Sequence, residues 1–390
     1  MDEWSTLEGL GLATAQLRSL ARRGSFSRDD GVSIEFCNFC QENAKHHVLL
    51  LTGWDESFLK YGDVISELLQ AGINVYAMDW RSQGLSGRHL LDPQVTYVES
   101  FDDHLDDLSF FVNQVVVESC GVRTSQLTCL AHSMGGLLSL MAAAGDRGLF
   151  QRLVVCSPMI MMKCGMPHVV ALWLGRLFCR LGMGSSYAPG ESGVDVSRPI
   201  TMKLTTDKAR LATWERIRRT YPIVAMGGMS NLWVVEAIKA QNWFRTRAKQ
   251  VVSVPVLLLE AGVDVFVCTS RPFSRTLCRA VPSCRRLCYP TTYHEILFEK
   301  EWARSHAMKA TIAFLKSGEY PAPGETTVIT PPPLSEEARQ KKMKLLLVRF
   351  CLVVVAAGLG VAGVTFAKRG GSVKVVRIQL LGSQLVNYRG

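Results

Sequence analysis

Ser133 is the side chain of this sequence that is best placed to act as a nucleophile. It lies in the run CLAHSMGG at residues 129–136, where a predicted apolar strand ends at His132 and a helix of small residues begins. A turn this tight admits only small groups two positions before and after the serine, and Ala131 and Gly135 meet that requirement. This context predicts attack by Ser133 on an acyl carbon; without it, the motif would indicate only a tight turn.

A serine hydroxyl needs a general base, and the base needs a carboxylate to orient it. Asp264 follows an apolar strand predicted at 255–260, and His294 follows the next strand, predicted at 286–289. The order Ser133, Asp264, His294 is the one expected when strands wind outward from the nucleophile turn. Two alternatives remain. Glu260 could be the acid, although burial within the strand would be costly without a partner, and His294 could instead cap a helix.

The oxyanion formed by that attack needs two backbone N–H donors, and losing one typically costs about 3 kcal/mol of transition-state stabilisation. Met134, which follows the nucleophile, would supply one donor. The loop after the first parallel strand, residues 52–57, would supply the other through Trp54. This chemistry requires no metal and no cofactor.

The elements that must position these residues alternate between short apolar strands and amphipathic helices. Continuous apolar strands indicate burial on both faces, which is typical of a parallel sheet covered by helices on each side. The pattern predicts an α/β core over 31–158 and 251–318, preceded by a helical segment at 1–30.

The interruption at 159–250 is helical in composition and is interpreted as an inserted helical cap. Eight apolar residues in it fall at one helical spacing: Met166, Val169, Val170, Trp173, Leu174, Leu177, Phe178 and Leu181. This stripe could pack on the core, or it could form a lid that lines an acyl-chain pocket or touches a membrane. Flexible methionines at 159–162 favour the lid. The predicted substrate contacts are Met159, Met162, Met166, Trp173 and Phe178.

The C-terminal part of the sequence predicts a membrane anchor. A proline-rich linker at 319–344 precedes 18 uncharged residues at 350–367, about 27 Å as a helix and close to a hydrocarbon core of about 30 Å. Arg349 could snorkel to the interface, which extends the predicted single transmembrane helix to 345–367. A buried core helix is the alternative. A basic tail at 368–390 follows.

The charge distribution favours a lipid surface over nucleic acid. The chain has 44 lysines and arginines against 34 acidic residues, and ten of the basic residues lie after residue 338, where no acid occurs. The first 338 residues are therefore formally neutral, and the basic tail is suited to anionic lipid. The N-terminus has no secretory signal and the 12 cysteines are scattered, so we expect reduced thiols and a cytosolic catalytic domain on a single-pass membrane protein.

Three stretches make this sequence resemble the lysophospholipase and monoacylglycerol lipase branch of the α/β-hydrolases. They are DWRSQGLSGR at 79–88, AHSMGG at 131–136 and YHEILFE at 293–299. The runs LDP at 91–93 and FDD at 101–103 make the resemblance strongest to the bacterial inner-membrane lysophospholipase type. It covers about residues 30–318 and departs from the usual pattern at Thr52, where the family has histidine, and at Ser82, where it has glycine.

The resemblance implies an eight-stranded, mostly parallel sheet with a helical cap after the sixth strand. It also implies Ser133, Asp264 and His294 as the triad, Trp54 and Met134 as oxyanion donors, and hydrolysis of one acyl ester of a single-chain lipid.

The sequence therefore predicts a membrane-tethered serine hydrolase whose partners are a lipid substrate and the membrane. Two alternatives stay open. One is a related hydrolase acting on a short-chain ester, a thioester or a peptide. The other is a non-catalytic, membrane-anchored interaction protein built on the same fold.

Overall fold

The computed structural model describes residues 3–11, 13–145, 148–268, 277–278, 281, 283–320, 324, 326–333, 361–369, 372–380 and 386–387. The chain divides into two units, Met1–Pro331 and Pro332–Gly390.

The first unit is built on one large sheet covered by helices. Its strands are β1 Ala21–Ser27, β2 Ser33–Phe39, β3 His46–Leu51, β4 Ile73–Met78, β5 Leu127–His132, β6 Leu153–Cys156, β7 Val256–Ala261, β8 Cys284–Tyr289 and β9 Thr326–Val328. The helices are α1 Glu3–Gly9, α2 Ala15–Leu20, α3 Gly62–Gln70, α4 Phe101–Phe110, α5 Ser133–Ala144, α6 His168–Arg180, α7 Lys208–Thr220, α8 Asn231–Val251 and α9 Glu301–Ser317. A π-helical stretch, Phe111–Ser119, continues α4.

The nine strands lie in the order β1-β2-β4-β3-β5-β6-β7-β8-β9. The pairs β1–β2 and β2–β4 are antiparallel, and every pair from β4–β3 to β8–β9 is parallel. This arrangement confirms the predicted mostly parallel sheet. It places the carboxyl ends of β3, β5, β7 and β8 at one edge, where loops can bring distant residues together.

The apolar strands are buried on both faces, as their composition predicts. On β3, Leu49 and Leu51 belong to one core cluster, whereas Val48 and Leu50 belong to the other. The first cluster includes residues of α4, α5 and α8, and the second includes residues of α3 and α9. Alternate side chains of a strand point to opposite faces, so a strand between two helical layers needs apolar residues at every position.

The strand count and the N-terminal segment differ from the predictions. The sheet has nine strands instead of eight, because β9, which lies within the expected linker at 319–344, pairs parallel to β8. Residues 21–27 of the expected helical segment form β1, which pairs with β2 along its full length. Neither short segment has a periodicity strong enough to reveal an edge strand, since an edge strand is decided by its neighbour.

The region between β6 and β7 contains α6, α7 and α8, but these helices do not form a separate layer. Trp233, Ala237, Ile238 and Phe244 of α8 are buried in the core cluster that includes α4 and α5. Ser230 caps the start of α8 by accepting a hydrogen bond from the backbone N–H of Trp233. The expected cap at 159–250 thus ends in a helix that is part of the core.

The second unit contains a three-stranded antiparallel sheet made of β10 Val361–Arg369, β11 Ser372–Leu380 and β12 Val386–Asn387. Of the predicted transmembrane helix at 345–367, residues 345–360 lie outside the described residues. Residues 361–367 belong to β10, where the β-branched residues Val361, Val364 and Thr365 favour a strand, so the predicted transmembrane helix is not confirmed. Among the described residues, none of the helices combines the length and apolarity needed to cross a bilayer.

One cysteine pair differs from the expectation of reduced thiols. Cys278 and Cys284 form a disulfide across six residues, and their Cα atoms are 4.8 Å apart. Nine other cysteines within the described part of the chain are free.

Candidate active site

The turn that carries Ser133 has the backbone of a strained nucleophile elbow. Ser133 has a φ of +50°, which L-residues rarely adopt, and it is the first residue of α5, directly after the end of β5. A Cβ atom at Gly135 would lie 2.5 Å from the carbonyl oxygen of Thr52, so glycine is required where α5 passes the end of β3. The predicted need for small residues around the serine thus has a specific cause, which is the close approach of the oxyanion loop.

Three side chains that are distant in sequence meet at this turn. His294 Nε2 lies 3.0 Å from Ser133 Oγ, and His294 Nδ1 lies 2.6 Å from Asp264 Oδ2. Asp264 follows β7 and His294 follows β8, so the parallel register of neighbouring strands brings both residues to the edge where β5 ends. The structure brings these three predicted residues together, with each at most 8% exposed.

Asp264 is held as a carboxylate facing the imidazole. Its Oδ1 accepts hydrogen bonds from the backbone N–H groups of Phe266 at 2.8 Å and Val267 at 3.0 Å. Burial raises the pKa of Asp264, but the hydrogen bond and charge of His294 together with the two N–H groups lower it more, so the pKa lies below its usual value. The alternative acid, Glu260, forms a buried ion pair with Arg286 of β8 instead.

The predicted oxyanion donors belong to two segments near the nucleophile, the start of α5 and the loop after β3. Met134 is the second residue of α5, where backbone N–H groups have no acceptor within the helix. The loop that carries Trp54 is fixed by three hydrogen bonds. The carboxylate of Glu56 accepts from the backbone N–H of Gly53, the carbonyl of Gly53 accepts from Gln83 Nε2, and the indole of Trp54 donates to Thr96. Fixed N–H groups of this kind can stabilise a developing oxyanion without reorganisation.

A buried ionic cluster beneath the site has no counterpart among the predicted residues. Lys60 Nζ lies 2.6 Å from Glu56 Oε1 and 2.5 Å from Glu295 Oε1, and Glu56 Oε2 lies 3.1 Å from His132 Nδ1. These four residues are at most 6% exposed, and we call them the Lys60 cluster. The cluster joins the oxyanion loop to His132, which precedes the nucleophile, and to Glu295, which follows the base His294.

The charges in the Lys60 cluster stabilise one another. Burial raises the pKa of Glu56, but the charges of Lys60 and His132 lower it well below its usual range. Burial lowers the pKa of Lys60 and His132, whereas the facing carboxylates raise both above their ordinary values. The sequence signal that could have revealed the cluster is the placement of Glu56 and Lys60 four residues apart, with Glu295 and His132 adjacent to the predicted catalytic residues.

A cavity of about 260 Å³ opens above Ser133 and His294. Of the five predicted substrate contacts, Met159, Met162 and Met166 line it, whereas Trp173 and Phe178 do not. The lining residues that the sequence reasoning missed include Leu174 on α6, Trp214 on α7, Met229, Trp233 on α8 and Phe266.

The orientation of α6 explains why Trp173 and Phe178 do not line this cavity. Ala171 and Gly175 are the buried residues of α6, and a Cβ atom at Gly175 would lie 2.6 Å from Val235 Cγ2 on α8. The helix therefore packs through its small residues, and Trp173 is 63% exposed. Hydrophobic periodicity predicts a large apolar face, but close helix packing here uses the smallest side chains.

This arrangement can carry out acyl transfer. The base is within hydrogen-bond reach of the nucleophile and is oriented by a carboxylate. The adjoining cavity is lined by methionine, tryptophan and leucine, which suits an apolar acyl chain.

Comparisons with known proteins agree with this geometry. The model of the family described as serine aminopeptidase, S33, matches residues 42–301. The chain is 30% identical over 316 residues to lysophospholipase L2 of Escherichia coli, covering 78% of this chain and 90% of the relative. It is 26% identical over 270 residues to a probable lysophospholipase L2 of Haemophilus influenzae, covering 69% and 83%.

Solved structures share the fold. A soluble variant of monoglyceride lipase from Saccharomyces cerevisiae superimposes with a TM-score of 0.59 at 17% identity, covering 77% of this chain and 97% of the other. The monoacylglycerol lipase of Paleococcus ferrophilus gives 0.56 at 20% identity, covering 77% and 99%. The chain therefore belongs to the serine aminopeptidase S33 family, in the lysophospholipase and monoacylglycerol lipase branch of the α/β-hydrolases.

Proposed function

We propose that this carboxylic ester hydrolase cleaves the acyl ester of a single-chain lipid, a lysophospholipid or a monoacylglycerol, through an acyl-enzyme. The observation that carries the proposal is the Ser133–His294–Asp264 contact at the floor of an apolar cavity. The relatives named lysophospholipase and the fold neighbours named monoacylglycerol lipase support the lipid class.

In the first half-reaction His294 Nε2 takes the proton of Ser133 as Oγ attacks the ester carbonyl. Asp264 holds the imidazole by its Nδ1 side, and the N–H groups of Trp54 and Met134 bind the oxyanion. His294 then protonates the leaving alcohol, which carries the glycerol. Water repeats the sequence on the acyl-enzyme, with His294 again as the base, and releases the fatty acid.

Covalent labelling combined with a lipid panel tests this proposal. A fluorophosphonate should label the full-length chain and should not label Ser133→Ala. Ser139→Ala is the matched control, since Ser139 lies on the same helix with its hydroxyl bonded to the carbonyl of Gly136. Activity on glycerol esters should rise with acyl chain length. An unlabelled wild-type protein would favour a non-catalytic interaction protein, and no gain from long chains would favour a short-chain esterase or thioesterase.

We further propose that the C-terminal region associates the enzyme with a membrane, with the catalytic unit on the cytosolic side. The uncharged run at 350–367 and the ten basic residues after 338 support this proposal.

A further inference from the structure

A second cavity adjoins the one above the nucleophile. Its volume is about 360 Å³, and it shares Trp54, Asp55, Glu191 and Met202 with the first cavity. The residues of the second cavity are mostly polar or glycine, in contrast with the methionines and tryptophans around Ser133. The cavity above Ser133 therefore adjoins a compartment that carries charged residues next to the oxyanion loop.

Arg218 lines this second cavity and has one side-chain donor without a partner among the described residues. The residue is 5% exposed, and among the described residues its Nε has no hydrogen-bond partner. Its Nη2 lies 3.6 Å from Asp55 Oδ2, which is an ionic contact beyond hydrogen-bond range. Buried guanidinium groups normally have their donors satisfied, and the planar fork of a guanidinium fits the oxygens of a phosphate.

Asp55 only partly compensates the charge of Arg218. Its Oδ1 accepts a hydrogen bond of 2.8 Å from the backbone N–H of Met226. Burial raises the pKa of Asp55 to about 6 in spite of the neighbouring Arg218, so this carboxyl is a weak counter-ion in mildly acidic solution. Arg218 therefore keeps the capacity to bind an anion that enters the cavity.

Helix α7 sets the distance between the two compartments. Trp214 lines the cavity above Ser133 and Arg218 lines the second cavity, and the two residues are four positions apart on α7. Residues at this spacing lie one above the other, about 5–6 Å apart at their Cβ atoms. A group bound to Arg218 would thus lie about one helical turn from the apolar cavity, a separation that a glycerol backbone can span.

The remaining charges of the second cavity favour a headgroup that also carries an amine. Glu191, Asp195, Glu215 and Arg198 line it together with Asp55 and Arg218. Asp195 is paired with Arg198, and Glu215 accepts a hydrogen bond from the backbone N–H of Ile200. Glu191 lines both cavities, and its carboxylate is available to a cationic group there. A site with one buried arginine and nearby carboxylates complements a zwitterion.

We propose that this second cavity binds the phosphodiester of a lysophospholipid headgroup, and that Arg218 recognises the phosphate. The proposal rests on the single-chain lipid hydrolysis proposed above and selects lysophospholipids with an amine-bearing headgroup over monoacylglycerols.

The test compares kcat/KM on lysophosphatidylcholine and on monoacylglycerol with the same acyl chain, using the full-length protein. Arg218→Gln should lower the ratio of kcat/KM on lysophosphatidylcholine to kcat/KM on monoacylglycerol by about 10- to 100-fold, since it removes a charge-assisted hydrogen bond. Arg218→Lys should recover part of the ratio. Arg216→Gln is the matched control on the same helix, because Arg216 is exposed and bonds the carbonyl of Leu10; it should keep the wild-type ratio.

If Arg218→Gln and Arg218→Lys each lowered kcat/KM equally on both lipids, the proposal would be overturned, because this would indicate a structural role for Arg218. Wild-type protein that hydrolyses only monoacylglycerol would overturn it while leaving the proposed function intact. Wild-type protein that hydrolyses neither lipid would overturn both.

Two further measurements distinguish binding of a lipid headgroup from binding of free phosphate. Glycerophosphocholine should raise the Tm of the wild-type protein and of Arg216→Gln, but not that of Arg218→Gln. Inorganic phosphate should not change the rate of monoacylglycerol hydrolysis. An Arg218-dependent effect of inorganic phosphate would assign the cavity to the free anion and contradict the headgroup.

Discussion

Asp264, and not Glu260, is the carboxylate that contacts His294. It is 2.6 Å from the imidazole, whereas Glu260 is held by Arg286. Asp264→Asn should lower kcat by about 10³- to 10⁴-fold with little effect on KM, because the amide no longer fixes the imidazole tautomer that Ser133 needs. Steady-state kinetics on a chromogenic ester would measure this effect.

Glu260→Gln is the control, since glutamine still accepts a hydrogen bond from Arg286. It should leave kcat within a few-fold of the wild-type value. A loss in Glu260→Gln equal to that in Asp264→Asn would instead assign the orienting role to residue 260.

The buried carboxyl of Asp55 predicts a pH-dependent stability. Burial raises its pKa from 3.8 to about 6, so the folded state holds this proton more tightly than the unfolded state does. The free energy of unfolding should therefore fall as pH rises from about 4 to about 6, and the penalty is complete above that window. Asp55→Asn keeps an acceptor for Met226 and should be about 2 kcal/mol more stable than wild type at pH 7.5.

Urea denaturation at pH 7.5 and pH 4 would measure that difference. The two proteins should converge at the lower pH. A variant that is less stable than the wild type at both values would contradict the pKa shift as its cause.

Residues next to strand ends could be predicted, whereas partners across the fold could not. Ser133, Asp264 and His294 each follow a recognisable apolar strand, so their type and order were informative. Arg218 and the members of the Lys60 cluster acquire their meaning from contacts that the sequence separates by up to 235 positions.

At the scale of elements, the Lys60 cluster connects three loops at the carboxyl edge of the sheet. Lys60→Met should lower the free energy of unfolding by about 3–5 kcal/mol, because it removes the cation that faces the buried carboxylates of Glu56 and Glu295 and leaves only His132 beside Glu56. The double variant Lys60→Met with Glu295→Gln should recover part of this loss, since one of the stranded charges is removed.

A double-mutant cycle from denaturant melts measures the coupling between Lys60 and Glu295. Additive losses in the double variant would show that the two side chains do not interact. Exposed Lys309→Met on α9 is the control for removing a lysine charge, and it should change stability by no more than about 0.5 kcal/mol.

The sequence predicted elements correctly where an apolar pattern was long. It did not predict those whose structure depends on a neighbouring strand or helix. Strands β3 to β8 and helix α5 lie close to their expected positions, because continuous apolar runs allow few alternatives. Strands β1 and β9 lie at the two edges of the sheet, where they pair with β2 and β8, and their sequences carry no such pattern. Helix α6 exists as expected, but its packing face is set by Gly175 against Val235, which hydropathy does not reveal.

For the whole molecule, the C-terminal region predicts where the enzyme resides. The full-length chain should float with anionic vesicles in a density gradient, and a chain ending at Pro331 should remain in the soluble fraction while it keeps esterase activity. Flotation of both proteins would place the lipid contact in the first unit, and flotation of neither would contradict the membrane proposal.

The distance in sequence between the members of the catalytic site has a consequence for biosynthesis. Ser133 is translated 161 residues before His294, and Lys60 is translated 235 residues before Glu295. A nascent chain on the ribosome therefore exposes its nucleophile long before the base and the buried counter-ion exist. The catalytic site can therefore be assembled only after nearly the whole first unit has been synthesised.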